Sequence, residues 1–253
     1  MADIKLFSLA DGVNELPSTS VALEKELQTV IEQNMDTLFG VTFLKSEYII
    51  TNGRIDSLGF DENYSPVIFE YKRSTNENVI NQGLFYLDWL LDHKADFKLL
   101  VMDTLGKDAA DKIDWSLPCV MCIASDFTKF DEHAVNQMQR NIKLVKYKKF
   151  GENLILFEHI NAPNVKPIIE VSPITQNVNR SGVAKTFLQQ FDIGSHELQN
   201  LYISIKDYIL SLGDDVTENQ LKFYVAFKKI KNIACVQIHQ KKYLFIYQLI
   251  PKS

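Results

Sequence analysis

Gly53 to Lys72 reads GRIDSLGFDENYSPVIFEYK. Arg54–Phe60 and Pro66–Lys72 are rich in β-branched and aromatic residues, and the five residues between them, Asp61-Glu62-Asn63-Tyr64-Ser65, are polar and lack apolar periodicity. The pattern predicts a β-hairpin closed by a five-residue connection. Side chains alternate faces along a strand, so Val67, Phe69 and Tyr71 point one way and Ile68, Glu70 and Lys72 the other. The first set is apolar enough to be core. The second puts a carboxylate and an ammonium roughly 6–7 Å apart. Asp56, on the partner strand, comes opposite that pair. Two acids and a lysine on one sheet face suit a divalent cation held against a phosphate. Taken alone, Glu70-x-Lys72 is an ordinary solvated edge, and a cross-strand Asp–Lys pair contributes only a few tenths of a kcal/mol. The weight has to come from the rest of the chain.

With 253 residues, 46% of them apolar, the chain can bury a sizeable core in one large domain or two smaller ones. It has no run of about 18 apolar residues, so no membrane span is expected. MADIKLFSLADGVNELP lacks a basic leader with an apolar centre, and no secretory signal is expected there. Three cysteines are an odd number, which suits a reducing cytosol and a cytoplasmic protein without a disulfide framework. Cys119 and Cys122 form a C-x-x-C inside LPCVMCIA, which reads as a buried strand. Residues three apart on a strand face opposite sides, so core packing is favoured over a shared metal. A net charge of −5 argues against a sequence-blind coat protein that relies on bulk positive charge, while leaving room for local contacts to nucleic acid.

Taken in order, Ile4–Leu9 is a strand candidate, and Ser18, Thr19 and Ser20 supply N-caps for a helix from about Val21 to Asn34. Its core stripe is Leu23, Leu27, Val30 and Ile31; Glu24 falls at the edge of the buried face, with Glu26 and Glu32 further round toward water. Val41–Thr51 is a strand entering the hairpin across Asn52-Gly53. Ser74-Thr75-Asn76 is a cap and turn before a helix from about Glu77 to His93, on which Gln82 and Tyr86 stack on one face. Phe97–Met102 and Cys119–Ala124 read as buried strands with a short helix, Gly106–Ile113, between them. Phe127–Arg140 reads as a further helix, and Asn141–Phe150 with Asn153–Ile160 as a hairpin turning at Gly151-Glu152. Lys143, Lys146, Lys148 and Lys149 on its first strand suit either a solvated edge that blocks sheet aggregation or a phosphate-contacting strip.

Asn161–Gly182 accumulates Pro, Asn and Ser and is read as a linker. It divides a domain at 1–160 from a small α+β module at 183–253: a helix at Ser195–Leu212, a turn at Gly213-Asp214-Asp215, and strand candidates Leu221–Phe227, Ile233–His239 and Tyr243–Ile250, the last two joined at Lys241-Lys242. The chain contains no Walker A loop, G-x-G-x-x-G, H-E-x-x-H or G-x-S-x-G. The five histidines are scattered without ligand spacing.

The order of parts is Glu24 on a first helix, Asp56 on a strand, Glu70-x-Lys72 on the next, and Gln82-x-x-x-Tyr86 on the following helix. This order resembles the PD-(D/E)xK nuclease superfamily, and more narrowly its Q-x-x-x-Y branch. That branch includes RecB-type nucleases and the mismatch- and branch-cleaving endonucleases of archaea and actinobacteria. Gly53-Arg54-Ile55-Asp56 is similar to their Gly-Arg-Ile-Asp segment, and Phe69-Glu70-Tyr71-Lys72 to their Ile-Glu-Leu-Lys strand. The likeness covers about residues 20–125, and Ile55 stands where the motif's name has proline. The C-terminal unit resembles a small module sometimes fused to such domains.

The resemblance implies an α/β, restriction-endonuclease-like mixed β-sheet flanked by helices, and metal-dependent phosphodiester hydrolysis on nucleic acid, DNA before RNA. Asp56 and Glu70, with the Tyr71 carbonyl, would hold Mg²⁺ or Mn²⁺ through hard oxygen ligands. Lys72 would orient the attacking water or stabilise the transition state, and Glu24 would bind a second metal or position water. Gln82 and Tyr86 would brace the ligands, and Arg54 and Arg73 would contact phosphate beside Lys143, Lys146 and Lys148. The competing expectations are an inactive nucleic-acid-binding or regulatory module on the same fold, which predicts loss of an acidic ligand, and a structural interaction protein, which makes the acidic cluster an accident. Whether the chain works alone or as a homodimer is open in the sequence.

Overall fold

The computed structural model describes residues 4–10, 12–21, 23–73, 78–160, 185–239 and 243–247. The chain opens with a short antiparallel pair, β1 (Leu6–Ser8) and β2 (Asn14–Leu16). Ser18 and Thr19, expected to cap a helix, instead form β3 (Ser18–Thr19) against Phe150 and Lys149. The first helix, α1 (Glu24–Phe39), therefore starts later than the sequence suggested; Leu23 is its N-cap and makes no side-chain cap bond. It also runs on past Asn34, because Leu27, Ile31, Met35 and Phe39 continue one apolar stripe at four-residue spacing into the core. Leu23 and Val30, assigned to that stripe, are 66% and 40% exposed.

A large mixed sheet follows. β4 (Val41–Ile50), β5 (Gly53–Asp61) and β6 (Pro66–Lys72) pair with one another in that order, antiparallel. The connection that closes the central hairpin is Glu62–Ser65, and its Asp61 carboxylate accepts the Asn63 and Ser65 N–H groups. From β6 the chain passes through α2 (Asn78–Asp92), α3 (Lys94–Leu105) and α4 (Lys107–Ala110) before returning as β7 (Cys119–Ala124), parallel to β6. α5 (Lys129–Gln137), opened by a Thr128–Asp131 capping box, then leads to β8 (Asn141–Phe150), parallel to β7, and β9 (Leu154–His159) turns back along β8. The resulting order is β4-β5-β6-β7-β8, with β3 and β9 both paired to β8. The cap and turn expected at Ser74-Thr75-Asn76 lie outside the described residues.

A further assignment is corrected. Phe97–Met102, expected as a strand, lies in α3. A six-residue apolar run does not fix a period, and here only Phe97 and Val101, one turn apart, are buried, while Leu99 and Met102 face out. The joining of parallel β6 and β7 needs a crossover, and the run supplies part of it.

Helices cover the sheet on two faces, which is why β7 is buried along its whole length. On one face Leu27, Ile31, Met35 and Phe39 of α1 pack on Phe69, Tyr71, Met121, Val145 and Tyr147. On the other, α2 comes close enough that a methyl group on Gly83 would stand 2.5 Å from Val120 Cγ1. Cys119 joins the α1 core and Cys122 Sγ reaches the Val79 carbonyl of α2, so the two thiols are buried on opposite faces as their spacing implied.

A second compact unit holds the described residues from Lys185 onward. It contains α6 (Phe187–Asp192), which the sequence reading missed, then α7 (His196–Leu210). β10 (Thr217–Gln220), β11 (Val225–Lys228), β12 (Asn232–His239) and β13 (Tyr243–Tyr247) form an antiparallel sheet in that order. The strand expected over Leu221–Phe227 is interrupted, because Leu221 donates to the Tyr224 carbonyl in a turn between β10 and β11. Phe187, Leu198, Tyr202, Val225, Phe227 and Val236 give this unit its own core. The linker at 161–182 and the turn at Lys241-Lys242 lie outside the described residues.

Candidate active site

Pairing between β5 and β6 stops at Ser57–Phe69, although β5 continues to Gly53 against β4 and β6 continues to Lys72 against β7. The two strands thus fork inside the sheet, and side chains take over the hydrogen bonds the backbones relinquish. Glu70 Oε1 accepts the Asp56 N–H at 3.3 Å, and Asp56 Oδ2 accepts the Tyr71 N–H at 3.1 Å. Each strand therefore contributes an acid that holds the other strand's amide. Such an exchange satisfies buried N–H groups that would otherwise be costly to leave unpaired.

Glu70 is 2% exposed. Burial, with the Asp56 carboxylate beside it, pushes its carboxyl up to about 9. Asp56 is raised as well, chiefly by burial, against which the Tyr71 N–H and the Lys72 ammonium act. Lys72 Nζ lies 3.8 Å from Glu24 Oε2, and Glu24 Oε1 accepts the Arg73 N–H at 3.1 Å, so the first turn of α1 is tied to the end of β6. Tyr86 packs its ring on the backbone at Gly53: a methyl group there would meet Tyr86 Cε1 at 2.7 Å. Its hydroxyl is pushed up by burial; the Arg54 backbone N–H opposes this and the Glu70 and Asp56 charges add to it. Gln82 lies one turn before Tyr86, and its Oε1 is buried without a hydrogen-bond partner among the described residues.

Glu24, Asp56, Glu70, Lys72 and Tyr86 thus lie at one fork, and Gln82 sits one helical turn from Tyr86 on α2. The basic residues are less uniform. Arg54 Nε is held 2.6 Å from Glu47 Oε2, while the other oxygen of that carboxylate, Oε1, takes Lys25 Nζ at 3.1 Å. Arg73 is exposed at the end of β6. Lys146 is level with Ala124 and Lys72 across the parallel strands, roughly 10 Å from Lys72 in the same row, and pairs with Asp126 at 2.6 Å. Lys148 shares that face by alternation, whereas Lys143 is level with Met121 and Phe69 and lies on the α1 face. Strand periodicity therefore divides the basic strip that the sequence presented as one.

Sequence reasoning missed a polar group beneath the fork. Gln28 Nε2 donates to the Asp56 carbonyl at 2.9 Å and to Glu32 Oε1 at 2.8 Å. Ser57 Oγ donates to the same Glu32 oxygen at 2.5 Å, and the Tyr71 hydroxyl donates to Ser57 Oγ at 3.1 Å. Glu32 had been placed toward water. The available signal was spacing: Glu24, Gln28 and Glu32 recur every four residues beside the apolar stripe of α1.

The donors around the fork are all oxygens, the set preferred by a hard divalent cation. Among the described residues no group of three or more His, Cys, Asp or Glu side chains gathers as a ready-made metal site. The Asp56–Glu70 pair would suit Mg²⁺ rather than a cation needing an all-protein cage, since Mg²⁺ binds through one or two carboxylates and takes its remaining ligands from water and substrate phosphate. A buried Glu70 and a half-buried Asp56, with the Lys72 ammonium acting on both, would suit such an ion.

Comparison with known proteins gives a relative across nearly the whole chain. An uncharacterized protein of Haemophilus influenzae is 33% identical over 252 residues, covering 94% of this chain and 81% of that protein. The chain belongs to the family of that protein. Residues 23–113 also match the family model of the endonuclease NucS C-terminal domain, a span that includes Glu24, Asp56, Glu70, Lys72, Gln82 and Tyr86. Similar solved structures include a repair endonuclease from Pyrococcus abyssi (16% identity, TM-score 0.33, covering 51% of this chain and 50% of that one). EndoMS in a complex with dsDNA is another (19% identity, TM-score 0.31, 51% of this chain and 47% of that one). SfsA of Pyrococcus furiosus with Ca²⁺ is a third (13% identity, TM-score 0.30, 61% of this chain and 74% of that one). The chain spans about half the length of the Pyrococcus abyssi repair endonuclease and of EndoMS.

Proposed function

We propose that this protein is a metal-dependent phosphodiesterase, an endonuclease acting on nucleic acid, DNA before RNA, of the Q-x-x-x-Y branch of the PD-(D/E)xK superfamily. The observation that carries the reading is the forked strand pair. Glu70 is buried and Asp56 half-buried opposite it across the gap, each bonded to the opposite strand's amide, with Lys72 and Glu24 at its mouth. The match of residues 23–113 to the NucS C-terminal domain supports it.

Asp56, Glu70 and the Tyr71 carbonyl would hold Mg²⁺ or Mn²⁺. When bound, the ion supplies charge neutralisation to the phosphodiester and its leaving oxygen. Lys72, one strand period beyond Glu70, orients the attacking water or stabilises charge developing on phosphate. Glu24 holds Lys72 and the Arg73 amide in place and is available to position water or a second ion. Tyr86, seated on Gly53, and Gln82 brace the acids from α2. Arg54, Arg73, Lys146 and Lys148 contact the nucleic-acid backbone. We assign this activity to a cytoplasmic domain at 1–160, with 183–253 an appended module and 161–182 joining them. No helix among the described residues is long and apolar enough to cross a membrane.

The test is a panel of labelled single-stranded, duplex, flapped and mismatched DNA and RNA with Mg²⁺, Mn²⁺ or EDTA. Metal-dependent cutting by the unmodified protein, lost in Asp56→Ala and Glu70→Ala with fold retained, is the expected result. Normal cutting by either variant overturns the site. A folded protein that binds but does not cut any member of the panel is instead an inactive binding module.

A further inference from the structure

We infer that Gln28, Glu32 and Ser57 form a positioning network that sets the separation of the two acid-bearing strands at the fork. The inference rests on the metal-site reading above and concerns residues outside the expected motif. Gln28 is 4% exposed on α1, and its amide is the donor to the Asp56 carbonyl. That carbonyl lies where β5 has left its ladder with β6, so the amide takes a backbone role. The same amide donates to Glu32, which accepts the fully buried Ser57 hydroxyl; Ser57 accepts the Tyr71 hydroxyl. Tyr71 is the residue whose N–H holds the Asp56 carboxylate and whose carbonyl is a candidate ligand. Both sides of the fork are thereby fastened to one helix: Asp56 through its carbonyl, Tyr71 through its side chain.

The pattern has a physical rationale beyond stability. A helix packed on a sheet through apolar residues alone fixes distance loosely, because side chains slide by fractions of an ångström at little cost. Directed hydrogen bonds in a buried site fix it more narrowly. Outer groups that orient metal ligands typically change affinity by about 10–100-fold when removed. Lys25 Nζ donates to Gln28 Oε1 at 3.2 Å and to Glu47 Oε1 at 3.1 Å, so the network continues to the Arg54–Glu47 pair at the surface.

The experiment is calorimetric titration of Mn²⁺ into the full chain without nucleic acid, alongside kcat and KM for cleavage and the thermal midpoint. Gln28→Leu is expected to weaken Mn²⁺ binding and lower kcat by about tenfold each, with KM for nucleic acid unchanged. Glu32→Gln keeps an oxygen where Glu32 Oε1 accepts and should stay near the unmodified protein, whereas Glu32→Leu should behave like Gln28→Leu. Ser57→Ala, the smallest deletion of the set, should give a milder loss in the same direction. If the unmodified protein binds Mn²⁺ and Gln28→Leu and Ser57→Ala bind it equally well, the positioning role is overturned while the metal site stands. If the unmodified protein neither binds Mn²⁺ nor cuts, the metal reading fails and the network loses its purpose with it.

Discussion

Glu70 shows how one side chain can record a site's chemistry. In the folded, metal-free protein its carboxyl is pushed up to about 9, whereas the same group in an unfolded chain titrates near 4.5. A raised folded value means its contribution is complete below about pH 4.5 and is lost as pH climbs toward about 9. Thermal unfolding in EDTA should therefore show falling stability across that window. Glu70→Gln keeps the bond from the Asp56 N–H and removes the charge. It should be more stable than the unmodified protein at pH 8 by on the order of 1–3 kcal/mol, with a flatter profile. Added Mg²⁺ should rescue the unmodified protein and leave the variant unmoved. Parallel profiles for the two proteins would contradict the assignment. Gly53 makes a second residue-scale prediction. Gly53→Ala forces a methyl group onto the Tyr86 ring, which is buried and has no flexible end to yield. A loss of roughly 1–3 kcal/mol in denaturant unfolding, together with reduced cleavage, is expected. Unchanged unfolding would show that Tyr86 does not hold its seat.

Elements explain what the sequence disclosed and what it withheld. The hairpin was legible because its two strands alternate and a polar segment separates them, and the acids followed from period two. The fork was not, since nothing in GRIDSLG says that β5 leaves β6 at Ser57 while staying on β4. Helix α1 was misjudged at both ends: serine and threonine favour caps, yet β8 offered Ser18 and Thr19 a strand partner, a choice made by distant residues. Glu32 reads as facing water because its partner Ser57 lies on another element. α3 was misread because FKLLVM is too short to declare a period. The fit of α2 on the sheet is itself testable. Gly83→Ala should destabilise by about 1–3 kcal/mol in urea unfolding, since its methyl group would overlap Val120. Val120→Ala combined with it should recover part of that loss. Additive losses would mean the helix does not rest on that residue pair.

At the scale of the whole molecule, charge and family set the terms. A net charge of −5 leaves binding to a few local cations. With Arg54, Arg73, Lys146 and Lys148 as the contacts, log affinity for duplex DNA should fall with log salt at a slope of about −3 to −4. Fluorescence anisotropy across a salt series measures it, and a slope near −8 would mean a larger, unrecognised basic surface. The family relationship spans nearly the whole chain, whereas the match to the NucS C-terminal domain is confined to residues 23–113. The expected catalytic residues all fall in that span, and the second unit, with its separate core, offers no comparable cluster that the sequence made legible.

The most direct test of the central claim is reversible metal dependence at the fork. Labelled DNA would be incubated with the unmodified protein and with Lys72→Ala, first in Mg²⁺, then after EDTA, then after Mg²⁺ is restored. The account predicts cutting that stops with EDTA and returns with Mg²⁺, and a loss of at least roughly 100-fold in the variant. Cutting that persists in EDTA, or a Lys72→Ala protein as active as its parent, would contradict it.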